Sequence, residues 1–416
     1  MVYKRADILF LVMGENPFPN LISASTRVRE GGKIVCICTE KTGGILYSKF
    51  KREVKSKLDV KFDRISIYVD KSKEYTNRDI IKEKIVQKLE AELSLNPHIK
   101  LLELNYTGGT KLMSAVSYET IKNFDYERYS SSLNVSLTYI DSERESMYFE
   151  LKKGVEGKFT AKNVKLTELE PSFNISLKDV IDLHVDLNLN NPKEKSHMGE
   201  LSDKLGNLFV NIDKDEYKNR IEFFEKIESL TKKYNKDNDK FAGELEKLFR
   251  KYDLLHGFKN VAEFGFQDNK NLYGYFDKTV WMEEFVLNRL IELKDEGIIN
   301  DVISNIKKEK ADEEQGEFEV DIAAYRKYKL FAISVTSIDK PEFAKGKLYE
   351  IKQRSKNLAG DEAGICYITL CWNTDELKNE YKNIWDNENI KNSLILGSQD
   401  LKNLKDELRD WIKGGE

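Results

Sequence analysis

Histidine and cysteine are scarce in this chain, with four of each among 416 residues. His98, His184, His197 and His256 are scattered, and none has the spacing of a metal-binding pair. They read as ordinary surface or partly buried residues, and histidine-driven catalysis has little support. No C-x-x-C occurs. Cys36 and Cys38 share one face of a strand pattern, and Cys366 and Cys371 lie far away in sequence. That pattern argues against structural zinc and against a disulfide framework. Long apolar runs are missing too; the longest early one, 8–13, is far too short to span a membrane. Met1-Val-Tyr-Lys-Arg leads directly into a strand pattern, so no secretory signal is expected and a cytoplasmic location fits. A dominant charge of one sign is absent: 68 basic side chains face 72 acidic ones, for a net charge of -4. This balance disfavours a general DNA coat protein but leaves room for a local basic groove. Neither G-x-x-x-x-G-K-[ST] nor G-x-G-x-x-G is present.

What the chain does have is the string LLELNYTGGTKLMS at 101–114. An apolar strand runs into Asn105-Tyr-Thr-Gly-Gly-Thr-Lys111, and a helix pattern follows at once. Gly108 and Gly109 allow a sharp turn and a close backbone approach to a ligand. A helix starting near Thr110 would aim its free N–H groups and positive dipole end outward, and Lys111 adds a cation. The string suits a phosphate or another anion; by geometry alone it equally suits an ordinary strand–helix turn.

Strand patterns at 7–12, 33–39, 61–69, 100–104 and 135–140 alternate with helix patterns at 22–30, 44–55, 78–95 and 110–123. This alternation predicts an α/β domain with a mostly parallel, doubly wound sheet, whose ligands sit beyond the C-terminal strand ends. Two unusual loops fall there: Met13-Gly-Glu-Asn-Pro-Phe-Pro-Asn20 and 105–111. A third loop, Thr39-Glu-Lys-Thr42, joins them. The pattern weakens after 153, and 203–255 reads as a charge-rich helical segment that links or dimerises. From about 257 a second α/β pattern begins. The expected domains are therefore 1–152, 153–256 and 257–416.

In the last domain Glu319 and Asp321 stand two apart on a strand and so share a face. The next strand carries Ser334 and Thr336 with the same spacing. Only Tyr325-Arg-Lys-Tyr-Lys329 separates them, which predicts a hairpin with Asp321 beside Ser334. Glu283 and Glu284 on the preceding helix offer further carboxylates, and Lys347 opens the following helix. Carboxylates converging with a lysine can hold a divalent cation for phosphodiester cleavage. The same residues also suit the polar face of a half-exposed strand. Lys327 and Lys329 read either as phosphate neighbours or as solvated turn residues.

On the two loop strings 13–20 and 105–114, the first domain resembles the CARF domain of type III CRISPR ancillary proteins. On Trp281-Met-Glu-Glu-Phe285, Glu317-Phe-Glu-Val-Asp321, Leu330-Phe-Ala-Ile-Ser-Val-Thr336, Lys347-Leu-Tyr-Glu350 and Ala359-Gly-Asp-Glu-Ala363, the last domain resembles the PD-(D/E)XK-type nuclease domain fused to CARF in that family. The resemblance implies a Rossmann-like dimer that binds a cyclic oligoadenylate across its two-fold axis, with cyclic tetra-adenylate as the expected activator. Gly14, Asn16, Thr107, Gly108, Gly109, Thr110 and Lys111, with Thr39, would line that site. It further implies a homodimeric nuclease acting on RNA or DNA with Mg2+ or Mn2+. Glu283 and Asp321 would hold the metal, with Glu319 and Ser334 beside them, and Lys347 would orient water or stabilise developing charge. The chain departs from the nuclease pattern where Ser334 and Thr336 take the places of an acid and a lysine. A regulator that binds the messenger, and binds nucleic acid without cutting it, is the alternative.

Overall fold

The computed structural model describes residues 4–67, 77–142, 144–183, 187–188, 198–234, 237–255, 259–260, 263, 274–276, 279–308, 319–359, 363–384 and 392–414. The chain forms two compact units. One comprises Met1–Asn188 with Lys327–Lys329 and Leu358–Glu362; the other comprises Leu189–Arg326, Leu330–Asn357 and Ala363–Glu416. Residues 153–256, expected as a connecting segment, are thus divided between the two. Of the residues expected to matter, His184, His197, His256, Glu317 and most of 359–363 lie outside the described residues.

The first unit holds β1 (Ala6–Val12), α1 (Phe18–Arg27), β2 (Val28–Cys38), α2 (Glu40–Gly43), α3 (Ile45–Lys57), β3 (Lys61–Ser66), α4 (Arg78–Leu95), β4 (Leu101–Asn105) and α5 (Lys111–Lys122). After them come β5 (Asn134–Asp141), β6 (Ser146–Lys152), β7 (Thr160–Lys165), α6 (Leu177–Leu183) and the two-residue β8 (Leu187–Asn188). The seven-stranded sheet has the order β3-β2-β1-β4-β5-β6-β7. β3 through β5 run parallel, and β6 and β7 add antiparallel strands. Central strands such as β1 are buried on both faces, which is why β1 reads as one apolar run. The order reverses between β1 and β4, and both of the unusual loops leave the sheet at that point.

The two faces of this sheet differ in chemistry. Phe10, Val12, Leu102, Leu104, Val135 and Leu137 pack with α4 and α5 into an apolar core. The other face meets α1, whose buried residues include Asn20, Ser23, Ser25, Thr26 and Arg27. Opposite them are the buried polar side chains of Glu103, Asn105, Ser136 and Thr138. Cys36 and Cys38 are also buried here, and burial pushes the Cys38 thiol up to about 12.

The second unit contains α7 (Gly199–Asn207), α8 (Lys214–Lys233), α9 (Asn238–Lys251), α10 (Val280–Asp295), β9 (Asp301–Lys308), β10 (Glu319–Arg326) and β11 (Lys329–Thr336). It ends with α11 (Pro341–Ala359), β12 (Gly364–Thr369), α12 (Asp375–Ile384), β13 (Ser393–Leu396) and α13 (Leu404–Lys413). Its strands follow the order β13-β12-β11-β10-β9. β11, β12 and β13 are parallel, whereas β10 pairs antiparallel with β9. The charge-rich helices α7 to α9 are not a free linker: their Leu205, Phe223 and Phe249, with Phe209 just after α7, join Trp281 of α10 in the core under this sheet. Phe224 stacks on Trp281 at 5.1 Å. Their charges sit on the outer faces, as in Lys226–Glu222 and Arg250–Glu246. Cys366 and Cys371 are buried and free. Among the described residues no helix is long and apolar enough to cross a membrane.

Candidate functional sites

The glycine turn is built from backbone. A Cβ on Gly108 would lie 2.3 Å from the Val12 carbonyl oxygen, and one on Gly14 would lie 2.9 Å from the Gly109 nitrogen. Gly109 has φ +79°, and a Cβ there would meet Val12 Cγ1 at 2.4 Å. The loop after β4 is therefore pressed against the end of β1. Close approach is what these glycines serve, and the neighbour they approach is the adjacent strand. The Ser114 hydroxyl donates to the Gly108 carbonyl at 2.6 Å and holds the turn on α5.

Most polar side chains expected at this site hold the loops. Asn16 Oδ1 accepts from Phe18 N at 3.0 Å at the head of α1. Thr39 and Thr42 form a capping box on α2. The Thr107 hydroxyl accepts from Ile140 N at 2.8 Å, and Thr110 caps α5 by accepting from Met113 N at 3.2 Å. Lys111 is the exception. It is exposed and has no partner among the described residues. It occupies the first helical position, where a cation opposes the helix dipole, and no acidic residue follows it in the first turn of α5. That arrangement disfavours the isolated helix and favours an anion in front of it. The first turn of α1, across the crevice, likewise lacks an acid.

A buried polar chain supports the turn from below, and sequence reasoning passed over it. Arg27 grips Glu103 with two bonds of 2.9 and 2.8 Å. The Thr138 hydroxyl donates to Glu103 at 3.2 Å, and Asn105 Nδ2 approaches that hydroxyl oxygen at 3.2 Å. Asn105 Oδ1 then accepts from Thr107 N at 3.2 Å. The i, i+2 spacing of Glu103 and Asn105 inside an apolar strand was the available signal. Asn20 lies at the upper end of this layer, and its buried Oδ1 has no hydrogen-bond partner among the described residues.

In the second unit the expected hairpin brings Asp321 to Ser334. The Ser334 hydroxyl donates to Asp321 Oδ2 at 3.0 Å and Val335 N donates to the same oxygen at 2.7 Å. Burial pushes the Asp321 carboxyl up to about 6, against the pull of those two donors. Glu319 adds to the rise and Lys347 opposes it from a distance. Lys347 sits in the second turn of α11, because that helix begins at Pro341, and it pairs with Glu350 at 3.0 Å. Lys345 faces α12, on Glu380 at 2.6 Å and Glu376 at 3.1 Å. Arg354, which sequence reasoning passed over, donates from Nη1 to the Glu319 carbonyl and also pairs with Glu350. It falls seven residues after Lys347, on the same helical face.

The two glutamates of α10 part company. Glu284 is buried and accepts from Met198 N at 2.9 Å and from the Tyr275 hydroxyl at 3.3 Å, so it serves the helical layer. Glu283 lies in the first turn and accepts from the Thr279 hydroxyl at 3.2 Å. Among the described residues no three His, Cys, Asp or Glu side chains cluster as a metal cage. The oxygen donors gathered here are the carboxylates of Asp321 and Glu319 and the Ser334 hydroxyl. They fit a hard cation that keeps several waters and binds through one or two carboxylates, as magnesium does. Asp321 Oδ1 accepts no hydrogen bond among the described residues.

No protein-family model and no curated protein matches the chain. Solved structures do. Protein VC1899 from Vibrio cholerae superposes with a TM-score of 0.66 at 15% identity, over 98% of each chain. Can2 from Sulfobacillus thermosulfidooxidans, in complex with cyclic tetra-adenylate, superposes with a TM-score of 0.59 at 17% identity, over 98% of this chain and 97% of that one. The likeness establishes the fold: a Rossmann-like α/β unit followed by a second α/β unit.

Proposed function

We propose that the chain is a nuclease of type III CRISPR defence switched on by a cyclic oligoadenylate, working as a homodimer. The observation that carries this reading is the head of α5. A lysine opposing its own helix dipole stands at the crevice where the strand order reverses, which is where open α/β sheets bind ligands. An anionic messenger there would meet Lys111, the leading N–H groups of α5, and a turn already held by Gly14, Gly108 and Gly109. Asn16, Thr39, Thr107 and Thr110 set the walls. Can2, of the same fold, holds cyclic tetra-adenylate, and we take that ring as the activator.

In the second unit Asp321 and Glu319 would hold Mg2+ or Mn2+, and Ser334 would keep Asp321 oriented. When bound, that cation supplies Lewis acidity toward a phosphodiester and lowers the pKa of a water. Ser334 and Val335 N both donate to Oδ2 of Asp321, which would leave Oδ1 for the cation. Lys347 brings positive charge to the side where negative charge develops on the phosphate. Messenger binding can promote cleavage only if the messenger binds the cutting arrangement more tightly than the resting one.

Incubating purified protein with cyclic tetra-adenylate, Mn2+ and RNA, single-stranded DNA or plasmid tests the reading. Cleavage that needs both additions, and that Asp321→Ala abolishes, is the expected result. Intact polynucleotides under every combination would leave the second reading, a messenger-gated protein that binds nucleic acid without cutting. Ser334 and Thr336, standing where the nuclease pattern has an acid and a lysine, favour that second reading.

A further inference from the structure

The face of α11 nearest Asp321 carries an aromatic side chain that the fold does not use. Phe343 is 65% exposed, although it lies in a helix whose opposite side is anchored by buried Ala344, Leu348 and Ile351. Four residues on, and so on the same stripe, is Lys347, half exposed and within electrostatic reach of Asp321. Between them is Gly346, where an added Cβ would meet nothing within 4 Å. No packing among the described residues requires a glycine there, and glycine weakens a helix interior. Farther along, Arg354 ties the stripe to the Glu319 carbonyl. An exposed ring, a smooth gap, a cation and an acid site thus follow one another along one helical face.

We infer that Phe343 is a stacking platform for an unpaired base of the nucleic-acid strand whose phosphate reaches Asp321. This inference rests on the nuclease site proposed above. Four helical residues advance about 6 Å, which spans roughly two stacked nucleotides, so a strand can place a base on Phe343 and a phosphate by Lys347. Gly346 leaves the path between them clear. Stacking of this kind is indifferent to sequence and needs a base with a free face, so the substrate is single-stranded. A duplex buries those faces in its own stack.

The test uses full-length Asp321→Asn protein, which binds without cutting, with cyclic tetra-adenylate and a short oligonucleotide carrying 2-aminopurine. DNA and RNA versions, single-stranded and duplex, form the arms. We expect the single strand to bind more tightly than the duplex, with quenched 2-aminopurine fluorescence. Adding Phe343→Ala should weaken binding about tenfold and remove the quenching, whereas Phe343→Trp should retain both. Unchanged affinity in Phe343→Ala, or equal affinity for duplex and single strand, overturns the inference. Cleavage by protein with Asp321 intact is scored separately. Binding that depends on Phe343 without any cleavage would sink the nuclease reading and leave the platform standing.

Discussion

Glu103 and Asp321 are both carboxylates drawn into the protein on a strand, and they are treated in opposite ways. Glu103 meets the fork of Arg27 at 2.8 and 2.9 Å, so its charge is cancelled inside the fold. Asp321 receives one hydroxyl and one backbone N–H, and among the described residues no cation pairs with it. Its carboxyl is pushed up to about 6. An acid with its counter-ion built in serves architecture. An acid left without one is held ready for a cation from outside.

The comparison breaks most sharply if Arg27 is removed. Arg27→Met leaves Glu103 buried and uncompensated, and unfolding in urea should show a loss of about 3–5 kcal/mol. Arg27→Met with Glu103→Leu should recover much of it. A methyl at Gly108 comes next. Gly108→Ala forces a Cβ toward the Val12 carbonyl and should cost about 2–3 kcal/mol in the same assay.

Asp321→Asn should do the reverse and stabilise. The folded carboxyl keeps its proton up to about 6, against an ordinary value of 3.8, so folded protein binds more protons than unfolded between those values. Stability therefore falls as pH rises through that window and stays lowered above it. Asp321→Asn should raise stability by about 2 kcal/mol at pH 8 and by little at pH 4, as calorimetry will show. Mn2+ should raise the melting temperature of the parent at pH 8 and not that of Asp321→Asn. A flat difference across pH would mean that burial does not raise the Asp321 carboxyl.

Smaller effects test the charges outside. Lys111→Ala should demand about tenfold more activator while leaving the melting temperature unchanged or slightly higher, since that lysine opposes its helix dipole. Unchanged activator affinity in calorimetry would remove Lys111 from the site. The smallest shift is expected from Lys347→Met, which should move the Asp321 midpoint further upward in a titration followed by NMR.

The fold was legible wherever periodicity was strong. The helix at 78–95 and the central strands β1 and β4 fall where the apolar pattern puts them, because central strands must be apolar on both faces, whereas β2 begins at Val28, inside the helix expected at 22–30. β6 and β7 were missed: the first follows a loop with no turn signature, and the second is an edge strand exposed at most positions. The glycine string marked the right turn but not its purpose, since spacing along a chain cannot say which neighbour the backbone approaches. Asp321 with Ser334 could be read from a hairpin and a period of two. Arg27 with Glu103 could not, because 76 residues separate them and nothing local links them. The charges of α7 to α9 disguised a buried aromatic cluster as a solvated linker.

Four thiols remain, two in each unit, all free and buried. Alkylating reagents attack only the thiolate, and only where they can reach it. A slow labelling time course followed by peptide mass measurement would therefore record when Cys36 and Cys38 come into view, and independently when Cys366 and Cys371 do. With its natural cysteines alone, the molecule carries a separate clock for the opening of each half, and adding the messenger should show which clock it slows.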